Sequence, residues 1–156
     1  SCHSCLLRPK SHGEVTLASA DPFADPLIDP KFLSHPDDMK DMIDGYKIMM
    51  RVLGSEPFSK YITEHTQRPI DINDDSDIEQ AIREGADTVY HPVGTCKMGD
   101  DDMSVVDERL KVHKVNGLRV VDASIMPTIV GGNTNAPTIM IGEKASDMIL
   151  EDWNIH

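Results

Sequence analysis

Apolar residues recur at helical spacing over one long stretch near the start of the chain. Between Ser34 and Gly54 they fall three or four positions apart, which places them on one face of a helix. We predict that Ser34 caps this helix, that Pro36 lies in its first turn and that Gly54 ends it. Because methionine fills irregular interiors, we interpret the methionine-rich face as core packing rather than as a ligand-binding surface. The apolar positions are Met39, Met42, Ile43, Tyr46, Met49, Met50 and Leu53.

Two more helices follow from capping and termination signals. Ser76 and Glu79 have the spacing of a capping box, so a short helix is predicted from Ser76 to Gly85. A last helix is predicted from about Pro137 to Leu150, after a loop that is rich in glycine and asparagine. Both helices, like the first, are preceded by segments without helical periodicity.

Extended structure is predicted in short runs that turn residues separate. Residues 5–7 and 13–18 alternate on either side of such a turn and indicate an antiparallel pair. The three prolines of residues 21–30 favour an irregular segment instead. Residues 105–106 and 118–121 are predicted strands, the second directly after an Asn-Gly turn. The expected fold is therefore α+β, a mainly antiparallel sheet with helices packed on it.

Composition narrows the class of protein. The 156 residues suffice for one compact domain, and 39% hydrophobic with 27% charged residues is typical of a globular chain. No apolar run approaches the roughly 18 residues of a transmembrane helix, and the first residues lack the pattern of a signal peptide. A net charge of −12 without a basic cluster argues against binding to nucleic acid or to anionic lipid.

The three cysteines bear on compartment and metal binding. An odd number cannot pair completely within the chain, which favours a reducing, cytoplasmic setting. Cys2 and Cys5 have the spacing of half a zinc site, but Cys96 has no near partner, so no metal is expected. A small metal-binding protein that uses Cys2, Cys5 and nearby histidines stays open as an alternative.

One of the seven histidines has a rigid setting. His91 is followed directly by Pro92 and then by Gly94, so its backbone geometry is restricted. A general base needs an imidazole that titrates near neutral pH and is held in place, although a lone histidine is more often structural. The six others lack such a setting and are His3, His12, His35, His65, His113 and His156.

The loop before the last helix is a second candidate site. The first-turn amides of a helix that begins near Pro137 have no intrahelical partners and suit an anion or a developing negative charge. Gly131 and Gly132 would allow the backbone to approach a flat ligand closely. An ordinary helix capped by Asn135 explains this segment equally simply, and by itself the segment favours that explanation.

The two candidate segments belong to an ordered series of motifs. The series resembles the C-terminal signature of the glucose–methanol–choline (GMC) oxidoreductases, nearest the choline dehydrogenase and bacterial alcohol dehydrogenase branches. Two weaker matches near the front extend the resemblance over nearly the whole chain. The motifs are LRPKSHG at 7–13, SADP at 19–22, HPVGTCKMG at 91–99, VD at 106–107, GLRVVDASIMP at 117–127 and GNTNAPT at 132–138.

The resemblance implies that the chain is one part of a larger enzyme. Residues 1–156 would form the family's C-terminal domain, with about 1–100 in the substrate-binding domain and about 101–156 in the FAD-binding domain. The family's Gly-x-Gly-x-x-Gly motif, which holds the ADP half of FAD, is not found in these residues. We therefore expect the partner to be an N-terminal FAD-binding part of the same protein. Alone, the chain should bind FAD weakly or not at all and be inactive.

The resemblance also implies a chemistry: FAD-dependent oxidation of a primary alcohol, choline-like or aliphatic, to an aldehyde by a dehydrogenase or an oxidase. His91 matches the family's acid/base histidine, which takes the hydroxyl proton as hydride leaves for flavin N5. Asn133 matches the neighbouring His or Asn that hydrogen-bonds the substrate oxygen. The full-length enzyme could also lie at a membrane surface, and a catalytically silent binding or structural module is the alternative. Residues expected to contact the cofactor are Asp122, Ala123, Asn133, Thr134, Asn135, Pro137 and Thr138.

Overall fold

The computed structural model describes residues 2–63 and 68–154. His65 and His156, two of the histidines without a rigid setting, lie outside those ranges. Helices and a small antiparallel sheet make up the regular structure, which confirms the predicted α+β class. Within the two described ranges, no helix is both long and apolar enough to cross a bilayer.

The chain forms two compact units, and the first comprises Ser1–Gly13 and Asp29–Val89. It contains the long helix α1 (Pro36–Leu53), the single turn α2 (Glu56–Ser59) and the helix α3 (Asp75–Gly85). Helices α1 and α3 pack against each other, and partly buried methionines of α1 surround their contact. The methionine face of α1 is thus core, as predicted. The buried side chains of this core are Met39, Tyr46, Ile78 and Ile82.

The N-cap of helix α1 is not Ser34, the residue that was predicted. His35 occupies the N-cap position, and its Nδ1 accepts a hydrogen bond from the Asp37 amide at 3.2 Å. The reason is Pro36, whose ring pushes the preceding residue out of the helical region, so His35 is extended and the helix cannot begin earlier. Gly54 ends the helix as predicted.

Helix α3 also has a different cap from the predicted one. Asp74 takes the N-cap position, and its carboxylate accepts from the Ser76 amide at 2.9 Å. Aspartate caps as well as serine does. Capping at Asp74 also places Asp75 and Asp77 in the first turn, where the helix dipole favours negative charge. The end at Gly85 is as predicted.

The regular sheet has two strands, β1 (Glu14–Thr16) and β2 (Leu27–Asp29). The predicted pairing of residues 5–7 with 13–18 is therefore wrong, and so is the irregular structure assigned to all of 21–30. Proline excludes a strand only where its missing N–H would be needed. Here Pro26 and Pro30 flank β2 without entering it, so the three residues between them keep their amides.

The second compact unit comprises Glu14–Ile28 and Tyr90–His156. It contains a 3₁₀ turn, Ala123–Ile125, and the helix α4, Asn135–Asp152, which pack together. Helix α4 begins two residues before and ends two residues after its predicted bounds. The buried side chains of this second core are Val106, Leu110, Ile125, Met126, Ile141 and Ala145.

The runs predicted as strands at 105–106 and 118–121 form isolated bridges instead. Val106 pairs singly with Met98 and with Val112, and Lys111 pairs with Arg119. Regular ladders cannot continue here because Leu110 and Lys114 have φ angles of +64°. The Asn-Gly turn is present, and its glycine has the positive φ, +75°, that such a turn requires.

Salt bridges hold the last turn of α4. Asp152 contacts Lys111 Nζ at 2.7 Å and Arg109 Nη2 at 2.9 Å, and it also pairs with Arg119. An acidic side chain at a helix C-terminus opposes the dipole. The hydrogen bonds from Lys111 and Arg119 offset that effect and hold the pKa of Asp152 well below its usual range. These contacts explain why α4 continues beyond Leu150.

Candidate functional site

The segment that carries His91 has a restricted backbone. Tyr90 has φ +62°, an uncommon angle for a residue with a side chain, and Pro92 restricts His91 from the other side. The backbone thus departs from an extended conformation at Tyr90, directly before His91. Gly94 has φ +89°, and a Cβ there would lie 3.3 Å from the Met126 carbonyl oxygen. Such conformations persist only where the surrounding structure enforces them.

Hydrogen bonds attach the loop after His91 to the 3₁₀ turn. The Cys96 amide donates to the Ser124 carbonyl at 3.0 Å, and the Met98 amide donates to the Ile125 carbonyl at 2.8 Å. Asp122 shapes the same turn, since its carboxylate accepts from the Ser124 amide at 2.7 Å. The loop that positions His91 therefore rests on backbone bonds within the second unit.

The structure brings His91, Asn133 and Thr134 together. The Nδ2 atom of Asn133 lies 3.3 Å from His91 Nε2, and the Oγ1 atom of Thr134 lies 2.9 Å from His91 Nδ1. His91 is half-buried, Asn133 is exposed and Thr134 is buried. The imidazole thus has one nitrogen toward the protein interior and the other toward the exposed amide.

The contacts around the ring involve both of its nitrogens. The Nδ2 atom of Asn133 carries donor hydrogens, and the hydroxyl of Thr134 can donate or accept. A neutral imidazole has one N–H and one lone pair, so the direction of each contact depends on the tautomer. Nε2 is the ring nitrogen at the exposed edge of the cluster, where a ligand can approach it.

The start of α4 lies directly beside this cluster in sequence. Asn135 is not its cap, because the N-cap position is Thr134 and the helix begins at Asn135. The hydroxyl of Thr134 makes no capping bond to the helix, and Asn135 and Ala136 are exposed. The first turn of α4 thus has no cap from the Thr134 hydroxyl and includes exposed residues, at the positive end of an 18-residue helix. A polar acceptor on a ligand fits this arrangement.

Comparison with known proteins decides the family. A model of the C-terminal part of GMC oxidoreductases matches residues 9–142, most of the chain. The chain belongs to the GMC oxidoreductase family. This confirms the resemblance that the ordered motifs indicate, including the alcohol and choline dehydrogenase branches.

Two curated GMC relatives show how far the similarity extends. The chain is 49% identical over 148 residues to an alcohol dehydrogenase (acceptor) of Pseudomonas putida, which covers 95% of this chain and 27% of the relative. It is 44% identical over 148 residues to an oxygen-dependent choline dehydrogenase of Klebsiella pneumoniae subsp. pneumoniae, again covering 95% and 27%. The chain thus spans 27% of the length of these relatives.

Solved GMC structures share the same backbone. A variant of the formate oxidase of Aspergillus oryzae RIB40, solved to study FAD modification, superposes with a TM-score of 0.90 at 33% identity. That superposition covers 97% of this chain and 27% of the oxidase. A pyridoxine 4-oxidase superposes with a TM-score of 0.81 at 26% identity, covering 90% and 28%. The chain therefore has the fold of a flavoprotein oxidoreductase family.

The residues expected to contact the cofactor fall into two groups. Thr138 is joined to the His91 cluster, since its amide and its hydroxyl both donate to the Thr134 carbonyl, at 3.0 and 2.7 Å. Asp122 and Ala123 lie instead on the 3₁₀ turn, with the Asp122 carboxylate engaged in capping it. Pro137 is half-buried in the first turn of α4 and donates no amide hydrogen.

The three cysteines and His113 have other surroundings. Cys2 and Cys5 are free and exposed, and Cys96 is free and half-buried. In the part of the chain that the structure describes, no three His, Cys, Asp or Glu side chains group as a metal site would require. His113 Nε2 contacts the Gly99 carbonyl oxygen at 2.9 Å, a structural bond.

The partnership of Thr134 with His91 is the feature that sequence reasoning misses. The motif places Thr134 among the cofactor contacts, and nothing in its spacing connects it to a histidine 43 positions away. The sequence does contain one local signal of this contact. Thr134 and Asn135 are adjacent, and both residue types can cap a helix, so one of the two side chains is available for another contact.

Proposed function

We propose that this chain is the C-terminal catalytic portion of an FAD-dependent GMC oxidoreductase that oxidises a primary alcohol to an aldehyde, with His91 as the base. One observation supports the proposal: the half-buried imidazole of His91 has Nδ1 beside the buried hydroxyl of Thr134 and Nε2 at an exposed edge, beside Asn133. The alcohol class is supported by the alcohol dehydrogenase and choline dehydrogenase relatives.

In the proposed reaction, His91 Nε2 accepts the hydroxyl proton of the alcohol. As that O–H bond breaks, its electron pair forms the C=O bond and the carbinol C–H bond breaks with loss of hydride. When bound, FAD supplies the acceptor for that hydride at flavin N5. After proton transfer the imidazole carries a positive charge. Its Nδ1–H faces Thr134 Oγ1, and its Nε2–H is at the exposed edge.

Asn133 has a different role from His91. Its amide cannot titrate near neutral pH, so it cannot be a second base. It has two N–H hydrogens, and one of them is directed at His91 Nε2. When the alcohol binds, its hydroxyl replaces that N–H at His91 Nε2, and Asn133 then donates to the substrate oxygen. Asn133 thus orients the alcohol, and His91 removes its proton.

The start of α4 would hold the flavin. Its first-turn amides at Asn135 and Ala136 are donors for the polar atoms of the flavin pyrimidine, and the helix dipole favours the negative charge that collects there on reduction. We place the Asp122–Ala123 backbone, Pro137 and Thr138 in the same contact. The ADP half would be held by an N-terminal FAD-binding part, so the isolated chain should be colourless and inactive.

The deciding experiment replaces His91 in the full-length flavoprotein. We expect His91→Ala to slow anaerobic reduction of the flavin by a primary alcohol by about 10²–10⁴-fold, the usual contribution of a positioned base. The flavin should stay bound, as its visible spectrum would show. His12→Ala is the matched control because His12 is exposed. Near-normal reduction in His91→Ala would contradict the assignment of His91 as the base. No reduction of flavin by a primary alcohol in the unsubstituted protein would favour the silent-module alternative.

A further inference from the structure

The cap of α4 is unlike the caps of the other long helices. His35 and Asp74, the caps of α1 and α3, each accept a hydrogen bond from an amide in the first turn. Thr134, at the start of the 18-residue α4, makes no such bond. The backbone of Thr134 is already helical, with φ −83° and ψ −9°, whereas His35 and Asp74 are extended as capping residues usually are. The hydroxyl of Thr134 is therefore available for a contact outside its own helix.

That contact is with His91. Thr134 is 8% exposed, and a buried hydroxyl needs a partner. Its Oγ1 lies 2.9 Å from His91 Nδ1. The amide and hydroxyl of Thr138 both bind the Thr134 carbonyl, which fixes the backbone from which the hydroxyl projects. The hydroxyl is thus held at one place relative to the imidazole.

The position of Asn133 decides the direction of that bond. If Thr134 donated its hydrogen to Nδ1, the ring proton would be on Nε2 and would face the donor hydrogens of Asn133. The two contacts are compatible only when Nδ1–H donates to Thr134 Oγ1 and Nε2 accepts. We propose that Thr134 is a positioning residue that fixes His91 in its Nδ1–H tautomer and so keeps the Nε2 lone pair at the substrate side.

The catalytic consequence of this inference rests on the proposed function, whereas the tautomer itself can be measured without turnover. Histidine with ¹⁵N-labelled ring nitrogens, in the full-length protein at alkaline pH, gives NMR signals that distinguish Nδ1–H from Nε2–H. The His91 signals are those that His91→Gln removes. We expect the Nδ1–H form to predominate in the native protein.

Removing the Thr134 hydroxyl should change that ratio. Thr134→Val keeps the shape of the side chain, and we expect a shift of about fivefold toward Nε2–H, the population effect of one net hydrogen bond. Thr134→Ala should shift it the same way with less demand on packing. Thr134→Ser should preserve it, as should Thr128→Val, the same change at an exposed threonine. An unchanged ratio in Thr134→Val or Thr134→Ala would overturn the inference.

Flavin reduction separates the two proposals. We expect Thr134→Val to slow reduction by about tenfold and Thr134→Ser to restore it, with the KM for the alcohol little changed because Thr134 does not contact substrate. If His91→Ala reduces flavin normally, the proposed function fails even where the tautomer shifts. If His91→Ala is inactive but Thr134→Val keeps the native ratio, the positioning role fails and the base assignment stands.

Discussion

Asp38 and His91 show two ways of holding a polar side chain with residues distant in sequence. Asp38 is 2% exposed, and both its oxygens are used: one accepts from the Lys10 amide at 2.8 Å and the other from the Ser11 amide at 2.8 Å. The Ser11 hydroxyl adds a third bond. A carboxylate whose capacity is filled in this way stabilises the fold and has little capacity left for a ligand.

His91 has one contact in the interior and one at the surface. Nδ1 faces the buried hydroxyl of Thr134, while Nε2 faces the exposed amide of Asn133. The saturated carboxylate of Asp38 anchors the segment around Lys10 to α1. The imidazole of His91, whose Nε2 faces only an exposed amide, is the candidate base. The difference in saturation, more than the difference in burial, separates the structural from the functional side chain.

The largest expected effect comes from replacing His91, the candidate base. His91→Gln keeps a polar side chain of similar size, and we expect flavin reduction to fall by about 10²–10⁴-fold. The urea midpoint should change little, because His91 is only half-buried. A variant that unfolds at clearly lower urea while its rate per bound flavin is preserved would place His91 with Asp38 as a structural residue.

Asp38→Asn should have the opposite profile. The amide has one acceptor oxygen fewer and brings donor hydrogens toward the Lys10 and Ser11 amides, so the free energy of unfolding should fall by about 1–3 kcal/mol. Urea denaturation measures this loss, and flavin reduction by folded protein should be unchanged. Asp41→Asn, on the exposed side of the same helix, is the control and should be within about 0.5 kcal/mol of wild type.

Asn133→Ala tests whether Asn133 acts on the substrate or stabilises the fold. The hydrogen bond to the substrate oxygen and the contact with His91 Nε2 are lost, but the base stays, so we expect flavin reduction to slow by about tenfold. Stability should be unaffected because Asn133 is exposed. Stopped-flow reduction with a primary alcohol measures the rate. A loss larger than that of His91→Gln would reverse the roles assigned to the two residues.

The smallest effect concerns pH. Burial raises the pKa of Asp38, but the hydrogen bonds from Lys10 and Ser11 outweigh it, so the pKa lies below its ordinary value. A carboxyl with a lowered folded-state pKa adds stability that is complete above its unfolded value of about 3.9 and is lost as pH falls through the folded value.

The difference in unfolding free energy between wild type and Asp38→Asn should therefore be constant above about pH 5 and shrink below about pH 4. Urea titrations across this range measure it. The other carboxyls with lowered pKa values are present in both proteins, and their effects cancel in the difference. A difference that grows on acidification would contradict the account of Asp38.

Helix positions followed from local sequence, but helix starts did not. The periodic methionines located α1, and Gly54 and Gly85 marked the ends of two helices. The caps were displaced by one or two residues because competing cap residues stand side by side. Pro36 decided one of those competitions through its effect on the backbone of His35.

The pairing of the strands could not be predicted from the sequence pattern, for a different reason. A three-residue strand such as β1 carries too few alternating positions to specify its partner. Leu27–Asp29 became that partner although prolines stand on both sides of it. The choice between partners depends on which segments tertiary packing brings side by side, and no local signal encodes it.

The ordered motifs identified the family and the two segments that meet at the candidate site. Residue order is enough for that, because the motifs around His91 and Asn133 are contiguous. The Thr134 hydroxyl makes no bond to its own helix and instead contacts the Nδ1 atom of a histidine 43 positions away, and this contact could be found only in the tertiary structure. A side-chain hydrogen bond has a single direction and a short range, so it exists only once packing has fixed both partners.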